Sequence, residues 1–94
     1  MLVVIAHVSA KPGTQDEVRD VLSSLVEPSR THDGCVQYDI HVDPDDDCHF
    51  VFYEQWASKE KLDQHLANAA FGELAKPLER LAPETTLRLF DLIS

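Results

Sequence analysis

Val36-Gln37-Tyr38-Asp39-Ile40-His41-Val42 alternates apolar with polar residues, and His49-Phe50-Val51-Phe52-Tyr53-Glu54-Gln55-Trp56 alternates again beyond Asp43-Pro44-Asp45-Asp46-Asp47. Period-two alternation is the pattern of a strand with one buried face, and Pro with Asp is the chemistry of a reversal between strands. The two runs predict a β-hairpin. In its first strand Val36, Tyr38, Ile40 and Val42 share a face, opposite Gln37, Asp39 and His41. In its second, Phe50, Phe52, Glu54 and Trp56 share a face, opposite Val51, Tyr53 and Gln55.

Ahead of the hairpin, Leu2 to Ala10 is almost continuously apolar and rich in β-branched residues, as a strand buried on both faces would be. Lys11-Pro12-Gly13-Thr14 reads as a turn, with Thr14 as a helix cap and Glu17 completing a capping box. Val18, Val21, Leu22, Leu25 and Val26 then form one helical stripe, which Pro28 and Gly34 bring to an end. After the hairpin, Ser58 caps a second helix with Leu62, Leu66, Ala69 or Ala70, Leu74, Leu78 and Leu81 on its apolar side and Pro77 as a breaker. Thr85 to Ile93 reads as a closing strand. The order βαββαβ predicts an α+β, ferredoxin-like fold: one domain over residues 1–94, an antiparallel sheet and both helices on one face.

The strands are apolar on both faces, as Leu87 and Leu89 opposite Phe90 and Leu92 illustrate, yet the helices cover only one. A second copy of the sheet is the economical cover, so the sequence predicts a homodimer built face to face.

Eight Lys and Arg stand against seventeen Asp and Glu, a formal charge of −9. Such a charge repels phosphate backbones and anionic lipid, which argues against nucleic acid and membrane surfaces as partners. No apolar run approaches the roughly 20 residues that cross a bilayer. Met1-Leu2-Val3-Val4-Ile5-Ala6 lacks the basic start of a secretion signal, and a soluble, cytoplasmic protein is the expectation. Cys35 and Cys48, at the starts of the two hairpin strands, are expected roughly 20 Å apart and free.

Asp43, Asp45, Asp47 and Glu54 occupy positions 1, 3, 5 and 12 of a calcium loop. Position 6, which needs Gly, is Cys48, and the flanks alternate as strands, so that reading is rejected. His41 and His49, expected to face each other across the hairpin near Cys48, offer at most weak transition-metal binding, and no metal site is assigned.

Three residues are candidates for acid–base chemistry. His65 lies on the stripe of Leu62, Leu66 and Ala69; imidazole is the natural general base at neutral pH, although a histidine on an apolar face also serves as a core residue held by one hydrogen bond. Glu54, between Phe52 and Trp56, must be paired, hydrogen-bonded or at a pocket mouth, with His65 or Arg88 as partner. His7 is the second candidate base, either joining the same pocket or facing the second copy. Trp56, Phe52, Phe50 and Tyr38, with Phe71 and Leu74, are candidate substrate-binding residues; core packing explains Trp56 equally well.

Pro12-Gly13, Gly34-Cys35-x-x-Tyr38, Glu54-Gln55-Trp56, His65-Leu66 and Phe71, in this order and spacing, resemble the antibiotic biosynthesis monooxygenase domain family. The resemblance covers nearly the whole chain and implies a dimeric α/β barrel of ferredoxin-like subunits, each with a pocket between sheet and helices. Relatives include cofactor-free oxygenases of quinols and anthrones, an isomerase of a phosphorylated sugar, and heme-degrading enzymes. The heme degraders use an Asn on the first strand and a ligand His one turn beyond the Phe; those positions are His7 and Ala75 here. The anthrone oxygenases pair the Trp with an Asn four residues earlier, which is Phe52 here. Fold membership does not choose among these chemistries.

The resemblance thus implies a monooxygenase that needs no cofactor, acting with O2 on a small quinol-like or enolisable aromatic compound. An isomerase of a small carbonyl compound is an alternative, with Arg88 and Lys76 as the available anchors for an anionic substrate. A non-catalytic ligand-binding dimer is another.

Overall fold

The computed structural model describes residues 1–94 as β1 (Leu2–Ser9), α1 (Gln15–Arg30), β2 (Cys35–Asp43), β3 (Asp46–Trp56), α2 (Lys59–Leu66), α3 (Ala69–Ala75), α4 (Leu78–Leu81) and β4 (Thr86–Asp91). The strands pair antiparallel in the order β2-β3-β1-β4, the ferredoxin-like α+β arrangement predicted from the sequence.

β3 follows its alternation closely: Phe50, Phe52, Glu54 and Trp56 are buried, whereas Val51, Tyr53 and Gln55 are partly exposed. The register adds Val4, Ala6 and Val8 of β1 and Tyr38 of β2 to the covered face. β2 departs from strict alternation. Cys35 lies opposite Trp56 but Gln37 opposite Gln55, so Val36 is an extra residue in a β-bulge, and it is exposed instead of sharing the Tyr38 face. The reversal is also tighter than the Asp-rich run suggests, because Asp43 pairs directly with Asp46. The Asp43 Oδ1 accepts the Asp45 N–H at 2.9 Å, a local bond that sets the turn.

α1 buries Val18, Leu22, Leu25 and Ser29 against the sheet. Its start differs from the predicted capping box: Thr14 Oγ1 donates to the Lys11 carbonyl at 2.7 Å and caps nothing. Pro28 lies within the last turn of the helix instead of ending it. The predicted second helix is three short ones. Asn68 restarts the chain as the cap of α3, its Oδ1 accepting the Phe71 N–H at 2.9 Å, and Pro77 precedes α4. The break changes the helical phase, so Leu66 and Leu74, expected to face inward, are exposed, while Leu62 and Leu81 are buried.

The other sheet face has no helix on it. Ile5, Val51, Tyr53 and Gln55 are half-exposed there, and Phe90 of β4 is 48% exposed. Cys35 and Cys48 are free thiols. No helix is long and apolar enough to cross a membrane.

Candidate functional site

Four elements place side chains around His65. Ser58, in extended conformation, starts α2 by accepting the Lys61 N–H on Oγ at 3.2 Å. Leu62 and His65, one turn apart, then face the sheet and are buried. The His65 ring lies 4.6 Å from the Trp56 ring centroid, at the end of β3, and 5.7 Å from that of Tyr38 on β2. The Asn68 cap brings Phe71 to 4.1 Å on another side. Tyr38 is backed in turn by Phe52, at 5.3 Å.

His32, in the α1–β2 connection, completes the cluster. Its Nδ1 lies 2.8 Å from Nδ1 of His65, so the two imidazoles share one proton in a hydrogen bond. The backbone of His32 is held on both sides, its N–H donating to Ser29 O at 3.1 Å and its carbonyl accepting from Cys35 N at 3.1 Å. Both histidines line a cleft of about 170 Å³ with Asp33, Gln64 and Asn68. His65 itself is only 2% exposed and is therefore reached along one edge.

Burial reverses the usual order of the acidic groups. Glu54, 5% exposed, is pushed up to about 7 by desolvation, while the Trp56 N–H, donated to its Oε1 at 2.8 Å, pulls the other way. His65 is lowered to about 4, by desolvation first and by neighbouring His32 second. At neutral pH its imidazole is uncharged. Burial, with the Glu54 charge adding to it, also raises the Tyr38 phenol. Ser29 Oγ is fully buried and makes no hydrogen bond in this arrangement.

Of the residues singled out from the sequence, His65, Trp56, Tyr38 and Phe71 meet around one ring, and Phe52 supports them. Phe50 does not join them; it lies toward the hairpin turn, beside a cleft shared with Arg19, Ile40 and Val42. Leu74 turns outward for the reason of helical phase given above. Glu54 is hydrogen-bonded, but its partner is Trp56 and not His65 or Arg88, because Arg88 lies opposite Ile5 on the other sheet face. His7 is on that other face too, so it does not join the His65 cluster. It belongs to a separate chain: Asp43 Oδ2 to His49 Nδ1 at 3.0 Å, and His49 Nε2 to His7 Nδ1 at 2.8 Å. The two rings are nearly coplanar and meet edge to edge.

The expected facing of His41 and His49 does not occur, since His41 lies opposite Val51. Asp46, Asp47 and Cys48 do come together at the hairpin tip, without His41 or His49. His32 went unnoticed in the sequence because a loop has no periodicity to reveal what it faces.

Residues 1–77 match the family model described as antibiotic biosynthesis monooxygenase. The Bacillus subtilis protein YcnE, whose name carries a provisional monooxygenase assignment, is 32% identical over 83 residues, covering 87% of each chain. An uncharacterized Synechocystis protein, sll1783, is 33% identical over 86 residues; the match covers 83% of this chain and 58% of that longer relative. A crystal structure of an antibiotic biosynthesis monooxygenase superposes with a TM-score of 0.92 at 36% identity, covering 100% of both chains. With the family model, the sequence relatives and the fold in agreement, this chain belongs to the antibiotic biosynthesis monooxygenase family.

Proposed function

We propose that the protein is a cofactor-independent monooxygenase of a small quinol-like or otherwise enolisable aromatic compound, with His65 as its base. One observation carries this reading. An uncharged imidazole is held in a dry cage of Trp56, Phe71 and Tyr38 and still borders an open cleft. The family and the name of the Bacillus relative support the class of chemistry.

The cleft, lined by His32, Asp33, Gln64, His65 and Asn68, admits the reacting edge of a flat ring to His65, while Trp56 and Phe71 shield the inner side of the imidazole from water. His65 Nε2 takes a proton from an activated carbon of the substrate, leaving a delocalised carbanion. The carbanion passes one electron to O2, and the two radicals join as a peroxide anion. Return of the proton and loss of water leave a carbonyl. Overall a CH2 group and O2 become C=O and H2O, with one oxygen atom in each product, and the electrons come from the substrate. Glu54 fixes the indole of Trp56, which with Tyr38 and Phe71 packs around the His65 ring behind the cleft. Phe52 supports Tyr38, and Phe50 and Leu74 stand outside the site.

The working unit in this reading is a homodimer joined through the open sheet face. Partly exposed Ile5, Val51 and Tyr53 with Phe90 stand among His7, Gln55 and Arg88 on a face that no helix of the chain covers, and a second copy supplies a surface of the same kind.

Oxygen uptake by the purified protein with a panel of naphthohydroquinones and anthrones, corrected for autoxidation, tests the proposal. Saturable uptake that falls at least tenfold in His65→Ala supports it. No uptake above background across the panel overturns the oxygenase. An isomerase would share the first proton transfer but consume no oxygen, and its anchors are not beside the base: Arg88 lies opposite Ile5 on the other sheet face, and Lys76 lines a cleft with Glu79 that His65 does not border.

A further inference from the structure

We propose that His32 is the proton acceptor behind His65, so that the two histidines work as a relay that moves the positive charge out of the aromatic cage to the solvent side and back; this rests on the reading of His65 as the base. A buried imidazole that takes a proton must hold a positive charge in a place that solvates it poorly. Trp56, Phe71 and Tyr38 offer His65 no carboxylate. Glu54, the nearest acid of the core, is occupied by the Trp56 N–H. The side chain in contact with a ring nitrogen of His65 is His32, at 2.8 Å.

His32 is only half-buried and lines the solvent-facing side of the same cleft. Its ring centroid is 5.0 Å from that of His65, so one proton hop moves the charge outward by a full ring. The contact also determines the tautomers the relay needs. For Nε2 of His65 to accept from the substrate, its Nδ1 must carry the proton and donate it to Nδ1 of His32, which then bears its own proton on Nε2. As His65 Nε2 gains the substrate proton, the Nδ1 proton crosses to His32, which becomes the imidazolium while His65 stays neutral. When the peroxide is protonated from His65 Nε2, His32 returns its proton and both tautomers are restored. No proton is gained or lost over the cycle. The fixed backbone of His32 holds the ring in range.

Two measurements on the full chain test this. Nitrogen-15 spectra of the imidazoles at neutral pH, which need no substrate, should show His65 protonated on Nδ1 and His32 on Nε2; His65 protonated on Nε2 instead would overturn the relay. With any panel substrate that is turned over, His32→Ala should lower kcat about tenfold to hundredfold, leave KM within about twofold, and recover in part with added imidazole. A merely structural role for His32 gives no rescue. Full kcat in His32→Ala with loss in His65→Ala removes the relay and keeps the base. Full kcat in both variants removes the base itself, while the tautomers still decide the hydrogen bond's direction.

Discussion

Trp56 donates its indole N–H to Glu54 Oε1 at 2.8 Å, two residues apart along one strand and on one face of it. The bond gives a buried carboxyl its partner and the largest aromatic of the core its orientation. It also favours the ionised acid, against the desolvation that raises it. Trp56→Phe keeps most of the packing and removes the donor. The Glu54 carboxyl should then titrate above its present value of about 7. Carbon-13 chemical shifts of the Glu54 side chain across a pH series report this directly; an unchanged or lower midpoint counts against the bond.

The pH dependence of stability follows from two opposed shifts. Glu54, raised from 4.5 to about 7, binds more protons folded than unfolded between those values, so its contribution is greatest below 4.5 and is lost as pH rises through 7. His65, lowered from 6.5 to about 4, binds fewer, so its contribution is present above 6.5 and is lost as pH falls toward 4. Each is worth about 3 kcal/mol at most. Between about 4.5 and 6.5 they nearly cancel. Denaturant unfolding of Glu54→Gln should therefore show stability rising with pH across that window, and His65→Asn should show it falling. Parallel curves for both variants would contradict this.

Gly34 turns the chain into β2 at φ +84°, and a Cβ built there would meet the Cβ and Cγ of Lys61. Gly34→Ala therefore combines a left-handed backbone with displacement of the Lys61 side chain, a cost of about 2 kcal/mol. Thermal unfolding should show Tm lower by about 10 °C. A drop of less than about 2 °C would mean that the turn relaxes freely.

Phe90 lies opposite Val3 on the open sheet face and is 48% exposed. If that face joins two copies, Phe90→Asp buries a charge on each side of the twofold axis. Sedimentation should find a dimer for the native chain and a shift of at least tenfold toward monomer for the variant. An unchanged dimer would place the interface elsewhere.

Much of this architecture is written as alternation. Phe50, Phe52, Glu54 and Trp56 are buried at period two as their spacing requires, and Val18, Leu22 and Leu25 at helical spacing. Illegibility begins where periodicity is interrupted. Leu66 and Leu74 look inward only if one helix runs through Asn68, and a side-chain cap there resets the phase. His7 and Glu54 are each plausible near His65 by composition, but strand parity separates His7 from it by the thickness of the sheet. His32 is 33 residues from His65 and sits in a loop, so only the fold brings their nitrogens together.

The bulge at Val36 bears on how this family can vary. β1 is bonded on both sides and has a distinct set of side chains on each face, so one inserted residue would send His7 into the core and Val8 out of it. β2 has a single neighbour and has already absorbed an extra residue beside Gln37 without disturbing Tyr38. Length changes among relatives should accumulate at the entrance to β2 and in the helical segments past Asn68, while β1 stays gapless; the historical record of insertions would then trace the sheet's edges.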